Sequence, residues 1–562
     1  MRPGWSVARV SYAVLLRPDG SIRAFVCLKR EEDRGKKTVL APVRLYVPTP
    51  VVRTAGIQPN FLCDTAAYLL GYPAGDGKAP QKFAAAKDLH LRILAQATSE
   101  AAVTLRRFFE THTPGNTAAP AIPDDMAADF EKGATLTFAD EDGRYLMEDD
   151  AVIAAWDAHY SGGGEHPGAG RCLVTGRTDQ IAILHDKHKG VPGAQSTGAA
   201  LVGFNAPAFE SYGHDGGQGL NAPVGRSAMS AYTAALNYLL THQKGGRIGD
   251  TTVLSFIPDA DDASTDFFDA FLYGNDDETV LTAVMDRIRR GLPPDLPEAT
   301  LQKPFCILGL SPNAARLSVR FFYRDSFGAF LRNIAAHYER LSIEKPAGSR
   351  RHLTPLPLLL ETTSPNVHDR AAAISPLLGG ALLSAILNDW RYPEALYETV
   401  LSRIRAEHDI TPGKAAIIKA YLLKNTDCER YREVLTMALN EQSNNRAYVL
   451  GRLFAALENA QYNANKSSNL KERYLSSACA TPGLVFPTML RMSVHHTEKS
   501  GNVADARLIA ALMDKLEGGV PFPVRLNNTE QGLFLEGYYH QMRDKFRRIE
   551  EAKQNKENSE EA

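Results

Sequence analysis

Apolar and polar residues alternate in short runs over the first part of the chain and give way to helical spacing beyond it. Val10–Leu16 and Ser21–Leu28 flank Arg17-Pro18-Asp19-Gly20, whose Pro and Gly suit a tight turn, so a β-hairpin is predicted to open the protein. A second hairpin is predicted at Ala134–Phe138 and Arg144–Met147 around Glu141-Asp142-Gly143. Between them, Leu89–Thr113 has helical spacing, and Thr113–Pro123 is a connector rich in Pro, Gly and Ala. Ser161-Gly162-Gly163-Gly164 followed by His166-Pro167-Gly168 reads as a flexible joint.

From Arg171 to about Glu344 the pattern is mixed. Val253–Ile257 and Phe305–Leu310 read as buried strands, and Ser227–Leu240 as a helix with Ser227 at its N-cap. Beyond Thr354 the strand signal fades. Leu396, Tyr397, Val400, Leu401 and Ile404 line one face of a helix begun after Pro393, and Tyr448, Leu453, Phe454 and Leu457 repeat the habit. Asn528-x-x-Gln531 resembles a capping box, and the mixed-charge tail Glu550–Ala562 reads as disordered. The expectation is an α+β protein: a mixed α/β amino-terminal body with a carboxy-terminal α-helical bundle. Its expected parts are residues 1–95 (an α/β region with a basic loop), 96–165 (a helix and hairpin insert), 166–350 (an α/β core) and 351–562 (the bundle).

Several parts are also what the length demands, since 562 residues exceed what one core usually organises. With 44% apolar and 23% charged residues the composition is that of a globular protein. A net charge of −2 excludes a uniformly cationic surface, so any nucleic-acid binding must use local basic patches. The six cysteines are scattered with no C-x-x-C pair, which argues against a zinc ribbon or disulfide framework and fits a reducing cytoplasm. Met1-Arg2-Pro3-Gly4-Trp5 does not read as a signal peptide. Ile374–Leu387, the most apolar stretch, falls short of the ~20 residues a bilayer span needs. A cytoplasmic protein without membrane contact is expected.

Three constellations suggest chemistry, each with a plainer alternative. His185-x-x-His188, with Asp186 between and His214 downstream, could offer imidazoles to a metal, but no third ligand at zinc spacing is evident. Asp259, Asp261, Asp262, Asp266 and Asp269, near Asp250, could hold two metal ions for phosphodiester cleavage or merely cap a helix. Gly213, Gly216, Gly217 and Gly219 could approach a phosphate, yet lack the G-K-[ST] of a P-loop. Neither a catalytic residue, a metal nor a cofactor is assigned. The positive signal is basic: Lys29, Arg30, Arg34, Lys36, Lys37, Arg44 and Arg53 crowd one stretch that could neutralise several phosphates, although Glu31, Glu32 and Asp33 dilute it and a mixed-charge run is usually a solvated loop.

Longer segments carry a resemblance. Arg53-Thr-Ala-Gly-Ile-Gln-Pro-Asn-Phe-Leu-Cys-Asp64 with Ala67-Tyr68 and Gly71, Cys172-Leu-Val-Thr-Gly176, Ala200–Gly213, Asn221-Ala-Pro-Val224, Leu310–Arg316 with Arg320-Phe321, and Ala447–Phe454 occur in collinear order. Together they resemble the large subunit of the type I-C CRISPR surveillance complex, Cascade, an antiviral ribonucleoprotein. Relatives carry a short helical lead ahead of the Gly-Trp-Ser at which this chain begins.

The resemblance implies a non-catalytic subunit near the 5′ handle of the CRISPR RNA. It would test the PAM duplex of double-stranded target DNA, help open it, join the backbone and small helical subunits, and present a surface to a separate helicase–nuclease. Guide pairing would read most of the sequence, a division of labour seen in other RNA-guided effectors. Asn60 and Phe61 are the first candidates for base contact: an amide can read groove edges, and an aromatic can wedge between bases. The alternative is a buried Phe61 with Asn60 holding a turn. Gln195, Asn205 and Asn221 are polar candidates on loops, though a structural role is the leading reading for each, since buried amides commonly satisfy neighbouring backbone groups. Arg316 and Arg320, on one side if helical, could clamp phosphates or pair with acids. Lys29, Arg30, Lys36, Lys37 and Arg53 complete the candidate surface. Relatives also make the small subunit by internal initiation, and Met437, ahead of a helical region, is the candidate start. Two competing readings are a metal-dependent nuclease using Asp250 and the Asp259–Asp269 cluster, and a structural adaptor that never touches DNA.

Overall fold

The computed structural model describes residues 4–560 apart from 35–36, 52, 54–55, 74–76, 116–120, 162–168, 205, 211–212, 215–216, 243–245, 258–266, 269, 273–278, 291–297 and 350–351. The chain divides into two compact units, one of residues 1–190, 194–242 and 313–317, the other of 191–193, 243–312 and 318–562. The described strands all lie before Phe327, interleaved with helices, and only helices follow, an α+β arrangement.

In the first unit the opening hairpin forms as expected, Tyr12–Leu16 pairing antiparallel with Ile22–Cys27. The second does not. Thr135–Ala139 runs parallel to Tyr12–Leu16 and antiparallel to Cys63–Thr65, giving the strand order Ile22–Cys27, Tyr12–Leu16, Thr135–Ala139, Cys63–Thr65. Its expected return arm shrinks to the bridge Ala139↔Tyr145 and the 3-10 turn Leu146–Glu148. The physical reason is burial: Leu136, Thr137, Phe138 and Ala139 are all enclosed, which suits an interior strand better than a two-stranded hairpin. The expected helix Leu89–Thr113 is also two, Ala79–Ile93 and Glu100–Thr111. Ser99 caps the second through Ala102 N–H, while Arg106 donates to the Leu94 and Ala95 carbonyls ending the first.

An aromatic core holds these elements. Phe61 stacks on Trp156 at 5.3 Å and 6°, and His90 stacks on Phe109 at 4.1 Å. Beside this core, Trp5–Val10 and Val43–Pro48 form an antiparallel ribbon, and Arg30–Arg34 with Lys37–Ala41 forms a further hairpin. Helix Arg226–His242 starts one residue before Ser227, so Ser227 is not its cap. Asp179 takes that place, accepting from Ser227 N–H at 3.1 Å.

In the second unit the expected strands appear as Thr251–Phe256 and Pro304–Asn313, between Gly246–Ile248 and Arg316–Ser326. Helices Phe327–Leu341 and Pro376–Leu387 pack into the same continuous core as the bundle that follows. Leu396, Tyr397, Val400, Leu401 and Ile404 are all buried on helix Glu394–Glu407, as their spacing predicts. Helix Arg446–Asn465 buries Tyr448, Leu453, Phe454 and Leu457. The last helix, Asn528–Glu560, is capped one residue earlier than expected: Asn527 accepts from Glu530 N–H, and the Glu530 carboxylate accepts from Asn527 N–H, both at 2.9 Å. It continues to Glu560, into the segment expected to be disordered, whose last two residues lie outside the described ones. Among the described residues no helix is long and apolar enough to cross a membrane.

Candidate nucleic-acid interface

Arg53 and the segment from Gln58 to Asp64 are locked from several sides. Asp64 is buried; it pairs with the Arg53 guanidinium and accepts from Asn60 N–H at 2.8 Å and Thr65 N–H at 2.7 Å. Burial pushes the Asp64 carboxyl up, against the pull of Arg53. Arg53 also donates to the Gln58 carbonyl at 2.7 Å and lies 4.1 Å above the Tyr68 ring. Leu62 adopts φ = 57°, a left-handed conformation that is costly for a bulky side chain. Two buried groups hold it there. His90 Nε2 accepts from Leu62 N–H at 2.8 Å, and Thr137 Oγ1 donates to the Leu62 carbonyl at 3.1 Å. Since Nε2 accepts, Nδ1 carries the proton and donates to the Ala86 carbonyl at 2.6 Å. Burial pushes the His90 imidazole down to about 4, so it stays neutral. The helical spacing Phe83, Ala86, His90, Ile93 was the available signal that His90 faces the core.

This framework sorts the candidates. Phe61 is 1% exposed, stacked on Trp156 with the His90 ring tilted against it, so the wedge is corrected to a core residue. Asn60 is half-buried at the end of the loop. Its Oδ1 accepts from Val51 N–H at 2.9 Å, which fixes the carboxamide. Arg53 and Lys29, expected to face phosphates, each pair with a carboxylate of this chain, Arg53 with Asp64 while staying exposed to solvent. Lys29 pairs with Asp129 and sits 5.0 Å over the Tyr12 ring, and the Asp129 hydrogen bond holds its ammonium above the ordinary range. Arg30 is exposed at the start of the hairpin strand Arg30–Arg34. Lys37 begins the returning strand, while Lys36 lies outside the described residues.

The remaining candidates are dispersed. Gln195 is exposed in a turn, its backbone N–H on the Ala314 carbonyl at 3.3 Å. Asn221 donates its amide to the His214 and Gln218 carbonyls at 3.3 and 3.0 Å, closing the 3-10 turn Gln218–Asn221. Asn205 lies outside the described residues. Arg316 and Arg320 are on a strand, not a helix. The Arg316 guanidinium covers Phe209 at 4.2 Å, and Arg320 reaches Asp250 and Ser311, each at 3.2 Å. Met437 is exposed in the connection between helices Cys428–Tyr431 and Arg446–Asn465.

The enzymatic constellations can be placed in part. Burial alone would raise the Asp250 carboxyl, but hydrogen bonds from Ser311, Arg320 and Thr251 outweigh it and hold it below the usual range. Asp259, Asp261, Asp262, Asp266 and Asp269 lie outside the described residues. His185 bonds Tyr232 through Nδ1, and no group of three His, Cys, Asp or Glu is placed to hold a metal among the described residues. In the glycine-rich loop, Gly219 presses on the carbonyls of Ala182 and Ile183, where a Cβ would come within 2.1 Å and 2.6 Å of oxygen. That is a packing requirement for glycine.

No curated protein matches the chain. A family model described as CRISPR-associated protein (Cas_Csd1) matches residues 1–546, almost the whole length. The match agrees with the resemblance to the type I-C large subunit carried by segments as far apart as Arg53–Asp64 and Ala447–Phe454, and the chain belongs to the Cas_Csd1 family of CRISPR-associated proteins.

Proposed function

We propose that the chain serves as the large subunit of a type I-C Cascade, testing the PAM duplex beside the CRISPR RNA, helping to open the DNA and recruiting a helicase–nuclease while cutting nothing itself. The observation that carries this reading is the presentation of Asn60. With Oδ1 committed to Val51 N–H and the backbone tied to buried Asp64, the amide's NH₂, which bonds no acceptor among the described residues, is the end left for a base edge. A preorganised donor loses little freedom when it binds. Exposed Arg30 and Gln195 are the further contacts in this reading.

The test is binding of the assembled complex to duplexes with systematically altered PAM positions. Asn60→Ala should cost about 1–3 kcal/mol at particular positions, as a lost base contact does. A uniform loss over all sequences would mean a phosphate contact instead. Target binding that is unaffected by PAM mutation would support the adaptor reading. Equal target binding with the subunit omitted would end the proposal. The nuclease reading draws no support from Asp250, which is bound to Arg320 and Ser311.

Internal initiation at Met437 belongs to the same proposal. A start there falls in an interhelical connection ahead of Arg446–Asn465, so the shorter product would begin before a helix and not within one. Silent recoding upstream of Met437, at Glu433 and Val434, should remove the small product on expression; its persistence would refute this start.

A further inference from the structure

We propose that the outer face of the ribbon Trp5–Val10/Val43–Pro48 is a docking site for single-stranded nucleic acid, with Tyr46 as a base-stacking platform and Arg9 and Arg44 as phosphate contacts. The inference rests on the nucleic-acid-binding reading above and assigns part of it to a surface that reading does not use.

The ribbon register puts Trp5 opposite Pro48, Val7 opposite Tyr46 and Arg9 opposite Arg44. Residues directly opposed in an antiparallel pair share a face, so these three pairs line one side. Val10, Ala8, Val47 and Leu45 line the other and pack into the core. Along the outer side, burial falls from one end to the other: Trp5 is enclosed, Tyr46 and Val7 are 40% and 54% exposed, and both arginines are exposed.

Two features of this face are costly for a plain solvated surface. Arg9 and Arg44 are like charges directly across a ladder, an arrangement that destabilises a sheet. Among the described residues neither has an acidic partner. A phosphate between them would turn that repulsion into attraction. Next to this pair, Val7 and Tyr46 leave apolar surface open, and Trp5 backs the Tyr46 ring at 5.7 Å and 23°. A ring supported from behind is held ready to stack against a base without losing rotamer freedom. Such stacking needs an unpaired base, because in a duplex the faces are already occupied. An aromatic platform beside cationic side chains is the chemistry by which single strands are bound irrespective of sequence. Both the unpaired part of a guide RNA and a displaced DNA strand present it.

The experiment is fluorescence anisotropy of the full chain with short labelled single-stranded RNA, single-stranded DNA and the corresponding duplex, over a series of salt concentrations. The Arg9→Ala/Arg44→Ala double variant should lose about tenfold or more in single-strand affinity and flatten the log–log salt dependence by about 1.4, two phosphates' worth. Arg9→Lys/Arg44→Lys should keep the slope. Tyr46→Ala should weaken single-strand binding by about fivefold or more, while Tyr46→Phe should bind as the parent does. Comparison of the RNA and DNA arms tells which strand is preferred. The proposal is overturned if the double alanine variant, still folded by circular dichroism, keeps affinity and slope, if only duplex binding falls, or if the full chain binds neither strand. It is overturned too if the variant binds nucleic acid normally but no longer assembles with other subunits, which would make the ribbon a protein interface. The omission experiment on the complex judges the wider functional reading separately.

Discussion

Glu536 and His540 lie one turn apart on the last helix, both enclosed, with His540 Nε2 3.6 Å from Glu536 Oε2. The distance is too long for a hydrogen bond, and neither Glu536 oxygen bonds any described residue. His540 Nδ1 meets the Tyr448 hydroxyl at 2.9 Å. Burial pushes the Glu536 carboxyl up to about 8 despite the Lys419 ammonium from helix Pro412–Asn425, and pushes the His540 imidazole down to about 3, aided by Lys419 and Arg452. Between those values the two groups form a neutral acid beside a neutral base, not an ion pair.

The stability of the chain should therefore depend on pH in a defined way. Glu536 binds its proton more tightly folded than unfolded, so its contribution is complete below its ordinary 4.5 and is lost as pH rises towards 8. His540 works the other way: its contribution is complete above its ordinary 6.5 and is lost as pH falls towards 3. The two slopes offset each other from 4.5 to 6.5, and stability falls outside that window. Glu536→Gln removes the alkaline loss and should be about 1–3 kcal/mol more stable than the parent at pH 8. Thermal melts across pH check this; parallel curves for variant and parent would refute it.

The Leu62 conformation depends on His90. His90→Phe keeps a ring against Phe61 and Phe109 but strands the buried Leu62 N–H, at a cost of about 1–3 kcal/mol. Chemical denaturation should show that loss, and hydrogen exchange should quicken at Leu62 first. Unchanged exchange there would mean that the helix does not hold the loop.

Arg53→Ala should act on stability before it acts on binding. It leaves the buried Asp64 carboxylate without its cation, but the Arg53 side chain is 31% exposed, so the cost should be about 1–3 kcal/mol, below that of breaking a fully buried pair. Asp64→Asn in the Arg53→Ala background should recover part of it. If Arg53→Ala melted like the parent yet lost nucleic-acid affinity, the residue would be a phosphate contact after all.

Helices Arg446–Asn465 and Asn528–Glu560 touch backbone to backbone at two glycines. A Cβ on Gly451 would stand 1.8 Å from the Phe534 carbonyl oxygen, and one on Gly537 would stand 2.1 Å from that of Tyr448. No side-chain rearrangement relieves such contacts. Gly451→Ala should cost about 3 kcal/mol or more, read as a large drop in melting temperature. A variant that melts like the parent would show that the helices separate freely.

Much of the helical region was readable from spacing. Leu396 to Ile404 and Tyr448 to Leu457 repeat at a helix period, and a helix buries the stripe its own sequence carries. The opening hairpin was equally local, because its turn residues and both arms are adjacent. Caps were less secure: two overlapping Asn/Glu/Gln patterns were available, and only backbone geometry chose Asn527–Glu530 over Asn528–Gln531. The long mixed-charge tail extends the last helix because its start is anchored by buried Phe534 and Tyr538.

The candidate site was harder to read, for a reason that lies in distance along the chain. Sequence by itself determined that a nearly neutral protein concentrates basic residues near its amino end and that its segments belong to a CRISPR-associated family. Which of those residues face outward was decided by partners far away: Asp129 takes Lys29, Trp156 takes Phe61, and Arg44 meets Arg9 only because Trp5–Val10 pairs with Val43–Pro48. A local window carries the period of a helix or strand. It does not carry the identity of the group that folding brings to the other end of a side chain.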